Sequence, residues 1–286
     1  DAGLDVASFA PRVSFFFSAD SNLFEEVAKF RAARQLWADV VAERYGVTDP
    51  AARRLRFHTQ TAGSTLTAQQ VDNNIVRVAY QALAAVLGGT QSLHTNGKDE
   101  ALALPTEQAV HTALRTQQIL AEETGVADTV DPLGGSYYIE ALTAEIVEAV
   151  RTLLEEVETR GGMLTAIESG WVHRQIQEVA FARQAAVDAG ERTIVGVNAY
   201  TEDEPSDVDI AQADPQVEAA QVDRLQRVRA ERDNEAVDAA LATVTATAQT
   251  DANLLPPIIT AVKARATVGE ISDALREVFG EYRVGR

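Results

Sequence analysis

Apolar residues recur along the first half of the chain in two alternating rhythms. Short aromatic or branched runs, Pro11–Ala19 (PRVSFFFSA) and Leu55–Thr61, read as strands. Each is followed by a longer stretch with helical spacing. From Leu23 to about Tyr45, the residues Leu23, Val27, Phe30, Leu36 and Val40 fall on or near one helix face. Asn22 and Glu25 have the spacing of a capping box, Gly46 ends the helix, and Asp49-Pro50 marks a loop. Thr67 and Gln70 repeat the capping-box spacing and predict a helix from there to about Leu87. A third strand at Ser92–Thr95 leads to a third helix, Thr106–Thr124, stopped by Gly125. Three consecutive strand–helix units predict a parallel sheet or barrel.

After Val130 the pattern changes. Asp131–Gly135 reads as a loop and Ser136–Glu140 as a short extended piece. Helical spacing then covers Thr143–Thr159, Met163–Glu168 and about Val172–Ala189. Thr193–Val197 reads as a brief strand and Thr201–Asp209 as an acidic loop. One long amphipathic helix is expected over Pro215–Thr247, followed by Leu254–Ala266 and by Val268–Phe279 with a Thr267/Glu270 capping box. The expected fold is α/β: a strand–helix portion over residues 1–142, then an all-helical region over 143–286.

One stretch departs from both rhythms. Thr90-Gln91-Ser92-Leu93-His94-Thr95 is too polar for an ordinary buried strand, because each buried hydroxyl, amide or imidazole needs a partner. At the carboxyl end of a barrel strand such groups face a ligand instead. A shorter version of the pattern occurs at Phe57-His58-Thr59-Gln60-Thr61.

Composition narrows the function classes. The net charge is −18, with three lysines (Lys29, Lys98, Lys263) among 25 basic residues, and a field of that sign repels a nucleic-acid backbone. The acidic surface reads either as ordinary solvation or as adaptation to high salt. There is no cysteine, which excludes disulfides and thiolate metal sites. No apolar run is long enough for a membrane span and no signal peptide is visible, so a cytoplasmic location is expected. The first residue is Asp rather than Met, as in a fragment or a processed chain.

Several residues stand out as candidates. Arg12, Ser14 and Phe16 share one face of the first strand by its period of two. An inward arginine and hydroxyl would clamp a phosphate or carboxylate, with Phe16 stacking on a ring; the plainer reading is an edge charge. His58 and Gln60 also share a face, as ligand contacts or as satisfied structural residues. No carboxylate stands at a characteristic ligand spacing from the histidines, so no metal site is expected. Glu100, ahead of a helix and near Asn96, is either a cap or a contact to hydroxyls such as a ribose. His111, His173, Trp37 and Trp171 read as surface or packing residues. There is no Gly-x-Gly-x-x-Gly fingerprint and no phosphate-loop motif.

The runs PRVSFFF, FHTQTAGSTLT, NNIVR, GGTQSLHTNGKDEALALPT, VDPLGGSYYIE, IVGVNAY and TVGEISDALREVFGEY occur in order over nearly the whole chain. Together they closely resemble the B12-dependent acyl-CoA mutase family, in particular the large, catalytic subunit of methylmalonyl-CoA mutase. The resemblance implies the last three units of a (β/α)8 barrel followed by a helical region. It implies a radical carbon-skeleton isomerisation of an acyl-CoA with adenosylcobalamin as cofactor. Residue by residue, it implies that Arg12 and Ser14 bind the CoA moiety, with Phe16 lining the same channel. It assigns Gln60, Asn96, Glu100 and Ala103 to the cofactor, with His58 as a neighbour. The implied partners are a cobalamin-binding domain or small subunit and an N-terminal half-barrel, on the same or a separate chain, in an oligomer. None of the four histidines sits in the cobalt-ligating Asp-x-His-x-x-Gly pattern. One departure is visible: Gly63-Ser64-Thr65 stands where the family has Gly-Trp-Ser. Related mutases acting on isobutyryl-, 2-hydroxyisobutyryl- or ethylmalonyl-CoA share these runs, and a non-catalytic structural subunit is a further alternative. A three-strand piece on its own is expected to leave an edge and a hydrophobic face open.

Overall fold

The computed structural model describes residues 3–202, 210–212 and 214–282, so most of the expected acidic loop at 201–209 lies outside the described residues. The chain forms two compact units, Asp1–Ala211 and Gln212–Arg286. In the first, a short helix α1 (Val6–Phe9) precedes β1 (Phe15–Ala19), which leads to α2 (Leu23–Glu43). A short α3 (Pro50–Arg53) comes before β2 (Phe57–Thr61) and α4 (Asn73–Leu87). β3 (Ser92–His94) is followed by α5 (Glu107–Glu123). The strands form one parallel sheet in the order β1-β2-β3, as three consecutive strand–helix units predict. Helices α6 (Tyr137–Thr159), α7 (Met163–Glu168) and α8 (Trp171–Asp188) complete this unit.

The core lies between the sheet and its helices. Phe57, Phe30, Leu55 and Ala85 are buried there, with Phe15, Phe17 and Leu93 packed against them. The Phe30 and Phe57 rings stack at 5.2 Å, and Phe17 meets Phe57 edge-on at 5.3 Å. Gly88 ends α4 directly over Phe30, where a Cβ would come within 2.4 Å of the ring, so no larger residue fits that helix end. α4 turns Asn74, Val78, Gln81, Ala82 and Ala85 inward, a stripe at helical spacing. α2 is buried on two sides, because α6 packs Ile139 and Val147 against it. Trp37 and Trp171 are packing residues, as expected: the Trp37 indole donates to the Ala52 carbonyl at 3.0 Å, and Trp171 packs against Val157 and Ala166.

Several boundaries differ from the sequence reading, each for a local reason. Pro11 has no N–H for a ladder and instead opens a tight turn over Ala10–Arg12, so pairing starts only where the Phe15 N–H donates to the Arg56 carbonyl at 2.8 Å. Arg12 therefore lies outside the strand it was expected to share with Phe16. No capping box forms at Thr67/Gln70: Gln70 adopts φ 46°, which no helix tolerates, and the helix starts at Asn73. Ser136–Glu140 is not extended; it enters α6, whose Ile139 is buried against Val27 and Ala84. Thr193–Val197 makes only an isolated bridge between Val195 and Ala199.

The second unit holds α9 (Pro215–Glu231), α10 (Asn234–Ala248), α11 (Leu255–Lys263) and α12 (Val268–Phe279). The single long helix expected over 215–247 is broken at Arg232-Asp233. Asp233 caps α10 by accepting from the Ala236 N–H at 3.1 Å, and Arg232 leaves the helix to grip Glu270 with two N–H groups at 2.7 and 2.6 Å. Glu270 is also the acidic partner of the expected capping box with Thr267, which is present. Val244, Ala240, Ala261 and Ile271 form the core of this unit. No helix among the described residues is long and apolar enough to cross a membrane.

The Arg232 hydrogen bonds, backed by those from Thr267, hold the Glu270 carboxyl at a pKa of about 2. A depressed carboxylate stabilises the fold fully above its unfolded pKa of 4.5 and loses that contribution as pH falls from there towards 2. Glu270→Gln is expected to cost the second unit about 1–2 kcal/mol at pH 7, after allowance for solvent screening. The gap between the two melting curves, followed by circular dichroism, should close as the pH is lowered through that window. A gap that does not change with pH would remove the ion pair from the account.

Candidate functional site

Strand alternation gives the sheet two unlike faces. Phe15, Phe17, Phe57 and Leu93 point at the helices, while Phe16, Ser18, His58, Gln60, Ser92 and His94 lie on the opposite face. The register sets these six in two rows, Phe16–His58–Ser92 and Ser18–Gln60–His94. The open face of the sheet is thus the polar one, because the aromatic positions are spent on the helix side; open apolar side chains lie instead on the helices, among them Tyr80 of α4 and Leu114 of α5. Phe16 is the exception, 64% exposed on the polar face, where its ring lies 5.0 Å from that of His58.

The rows are tied together sideways. His58 Nδ1 and Ser92 Oγ are hydrogen-bonded at 2.7 Å. One row further, the Gln60 amide donates to Asn96 Oδ1 at 2.8 Å. Asn96 is only 2% exposed, and it locks onto the end of β2: its N–H donates to Thr61 Oγ1 at 3.0 Å and its amide to the Thr61 carbonyl at 2.9 Å. The polar run at 90–95 meets the partner requirement that makes such residues costly to bury. Thr59 Oγ1 donates to Thr90 Oγ1 at 2.9 Å, Gln91 Oε1 accepts from the Phe57 N–H at 2.6 Å, and Thr95 Oγ1 donates to the Ala113 carbonyl at 2.7 Å.

The loop after β3 carries Glu100 to the carboxyl end of the sheet. Gly63, in the turn after β2, sits beside it: a Cβ there would stand 3.1 Å from Asn96 Nδ2 and 3.3 Å from Glu100 Oε1. That close approach needs a residue without a side chain, so Gly63 lets the Asn96 amide and the exposed Glu100 carboxylate lie against the turn. Ser64, at the position of the departure from the usual Gly-Trp-Ser, is exposed, and Thr65 Oγ1 accepts from the buried Gln81 amide at 2.6 Å. The Glu100 loop is pinned from below by Asp99, 2% exposed, whose carboxylate accepts from the Thr106 N–H at 2.8 Å and from its hydroxyl at 3.1 Å. The Asp99 carbonyl accepts from the Ala103 N–H at 3.1 Å, which folds Ala103 back into the same turn.

A second buried network joins the loops. Asn74 donates to the carbonyls of Thr67 and Lys98, both at 2.8 Å, and so ties the β2–α4 loop to the β3–α5 loop. Arg77 donates to Asn74 Oδ1 and, across the chain, to the Val195 carbonyl at 2.8 Å. At the end of β1, Asp20 is drawn by Arg183 of α8 at 2.8 Å; burial pushes its carboxyl pKa up, but the hydrogen bonds from Arg183 and the Ser21 N–H outweigh it and hold it below the usual range.

The structure thus sets Phe16 and His58 in one row of the polar face, with Gln60, Asn96 and Glu100 beyond them towards the carboxyl end of the sheet. Arg12 and Ser14, both exposed, stand at the opposite, amino end, where Arg54 and Arg56 are exposed as well. His111 is exposed on α5 and His173 half-buried on α8. No group of three or more His, Cys, Asp or Glu suited to a metal ion occurs among the described residues. Sequence reasoning missed Thr61, Gly63, Asn74 and Asp99. For Thr61 and Asn74 the signal was polarity at positions that alternation or helix period turns inward; Gly63 and Asp99 lie in turns, where no period applies.

The sequence model of methylmalonyl-CoA mutase matches residues 1–281. The chain belongs to the methylmalonyl-CoA mutase family. It is 50% identical over 283 residues to the 2-hydroxyisobutanoyl-CoA mutase large subunit of Aquincola tertiaricarbonis, covering 98% of this chain and 50% of that one. It is 48% identical over 284 residues to the methylmalonyl-CoA mutase of Escherichia coli (strain K12), covering 99% of this chain and 40% of the relative. It is 50% identical over 282 residues to the methylmalonyl-CoA mutase of Cereibacter sphaeroides, with coverages of 98% and 40%. The chain therefore spans about half or less of the length of these curated relatives. The family's runs have visible structural work here: NNIVR supplies Asn74 and Arg77, IVGVNAY receives Arg77, and VDPLGGSYYIE is held to α2 by Arg31 through Asp131 and Glu140.

Thr61→Val keeps the shape of a side chain that is 1% exposed but removes the acceptor of the Asn96 N–H. It should cost about 1–3 kcal/mol in urea unfolding, because a buried donor is left unpaired. A loss below about 0.5 kcal/mol would mean that Asn96 finds another partner, and that this lock does not hold the loop.

Proposed function

We propose that this chain forms part of an adenosylcobalamin-dependent acyl-CoA mutase. Residues 1–142 are the last three units of its (β/α)8 barrel and residues 143–286 its helical region. The observation that carries the reading is the direction of the exposed polar face. A cationic amino end with Arg12 and Ser14 leads through Phe16 and His58 to the amides of Gln60 and Asn96 and the carboxylate of Glu100. In a chain of net charge −18, arginines gathered at one end suit the phosphates of CoA. Phe16 offers an apolar wall to the pantetheine arm.

These amide and carboxylate groups suit the hydroxyls of the adenosyl ribose. Asn96 is immobilised by Thr61, Glu100 is exposed to accept from vicinal hydroxyls, and Gly63, having no Cβ, lets both side chains lie against the turn after β2. Ala103, folded back by Asp99, lines the same turn. When bound, adenosylcobalamin supplies the radical that starts the carbon-skeleton rearrangement. The residues of this chain hold the ribose, align the substrate arm along the sheet and, once the channel is closed, keep water out. Three parallel strands do not enclose a channel, so the opposite wall comes from a further half-barrel, and a cobalamin-binding domain or subunit caps the carboxyl end.

The acyl group is a short one, branched methylmalonyl and linear succinyl in the first reading. Equal identity to a 2-hydroxyisobutanoyl-CoA mutase large subunit keeps that substrate as the second. In the assembled enzyme, Glu100→Ala should weaken adenosylcobalamin binding by about tenfold, the worth of a charge-assisted hydrogen bond, and leave CoA affinity unchanged. Unchanged cofactor affinity and turnover would sink the assigned role. The 286-residue chain alone, supplied with adenosylcobalamin and (R)-methylmalonyl-CoA, should show no turnover; measurable succinyl-CoA formation would contradict the need for a second half-barrel.

A further inference from the structure

His58 is the one ionisable side chain whose setting on the polar face is fixed from both sides, and the family reading leaves it without a role. It lies on the central strand, paired in register with Phe16 on one side and Ser92 on the other. The Phe16 ring stands 5.0 Å away, tilted by 46°, and blocks rotation of the imidazole in that direction. On the other side Nδ1 is bound to Ser92 Oγ at 2.7 Å. A ring held at one edge by a phenyl and at Nδ1 by a hydroxyl leaves Nε2 as its free polar atom, and the ring is only partly covered.

Among the described residues, the hydroxyl of Ser92 has no hydrogen-bond partner other than His58. When that hydroxyl donates to Nδ1, the imidazole proton sits on Nε2. The depth of the ring along the sheet is equally defined. His58 stands one row, roughly 6.6 Å at the rise of a parallel strand, before Gln60 and the same distance beyond Arg56, which adjoins Ser14. Its row mates Phe16 and Ser92 carry no charge; the nearest ionisable positions along the face are His94 in the next row and Arg56 in the preceding one. An N–H at that level, between an anion-binding end and a ribose-binding end, meets the uncharged middle of the ligand.

We propose that His58 is a substrate-positioning residue: Ser92 fixes its tautomer so that Nε2–H donates to a carbonyl oxygen of the acyl-thioester arm. The inference rests on the acyl-CoA reading above and adds a contact to it. Ser92 acts through His58 and does not touch the substrate.

Two measurements test it. In the assembled enzyme, binding of propionyl-CoA is compared with that of S-propyl-CoA, a thioether that lacks the acyl carbonyl. His58→Ala should weaken propionyl-CoA about tenfold, and His58→Gln, which keeps an N–H near the position of Nε2, should recover most of that loss. A loss confined to the thioester places the bond on the thioester carbonyl; an equal loss for both ligands places it on an amide carbonyl of the arm. Neither ligand weakened by more than about twofold would overturn the proposal. If the wild-type assembly binds neither ligand, the acyl-CoA reading itself has failed. The second measurement needs no ligand: ring 15N shifts of the histidine-labelled chain should show His58 protonated at Nε2, with Ser92→Ala shifting the tautomer balance and Ser92→Thr preserving it. A wild-type ring protonated at Nδ1 overturns the donor assignment whatever the CoA result.

Discussion

Everything in the first unit depends on the period-two alternation of three parallel strands. Burying Phe15, Phe17, Phe57 and Leu93 on one side obliges their neighbours to face the other way. The helix side takes its stability from an aromatic cluster around Phe30. The other side is left free of packing duties, which lets it hold His58, Gln60, Ser92 and His94 at little cost in burial. A register slip of one residue would exchange the two sets and destroy core and site together. The same hydrophobic packing that makes the sheet therefore also selects which residues can meet a ligand.

The carboxyl end of the sheet relies on a different economy. Its loops contain buried polar residues, which are tolerated because each joins two pieces of chain. Asn96 fastens the β3 loop to the end of β2, Asn74 joins the two βα loops, and Asp99 anchors the Glu100 turn to the start of α5. Such networks are rigid where their groups are satisfied, as at Asn96 and Asn74, and costly where one is not, as at Asp99, one of whose buried carboxylate oxygens has no partner among the described residues. Rigidity is what a site handling a reactive species needs, since the geometry must be held before the chemistry begins.

The second unit uses a charged staple where the first uses packing. Its apolar core is small, and the Arg232–Glu270 pair both breaks the helix expected over 215–247 and fixes the start of α12. The same carboxylate serves a helix cap and an ion pair, which is why its proton affinity falls so far.

Much of this was legible in the residues. Helical and strand periods predicted three strand–helix units, the bounds of α12 and the Thr267/Glu270 cap, and polarity singled out the β2 and β3 strand ends. These are local properties: side-chain spacing and capping chemistry act within a few residues and need no fold. The family was legible for the same reason, as contiguous runs. What tertiary structure alone decided is non-local. It took Arg12 out of the first strand, turned the aromatic positions towards the helices, set His58 between Phe16 and Ser92, and brought Thr61 and Gly63 against Asn96 and Glu100. It also drew Arg232 out of the helix line to a partner 38 positions away, whereas the Asp233 cap that starts α10 is a local signal that the helical spacing hid. Local propensity carries no information about a partner that distant; register and packing supply it.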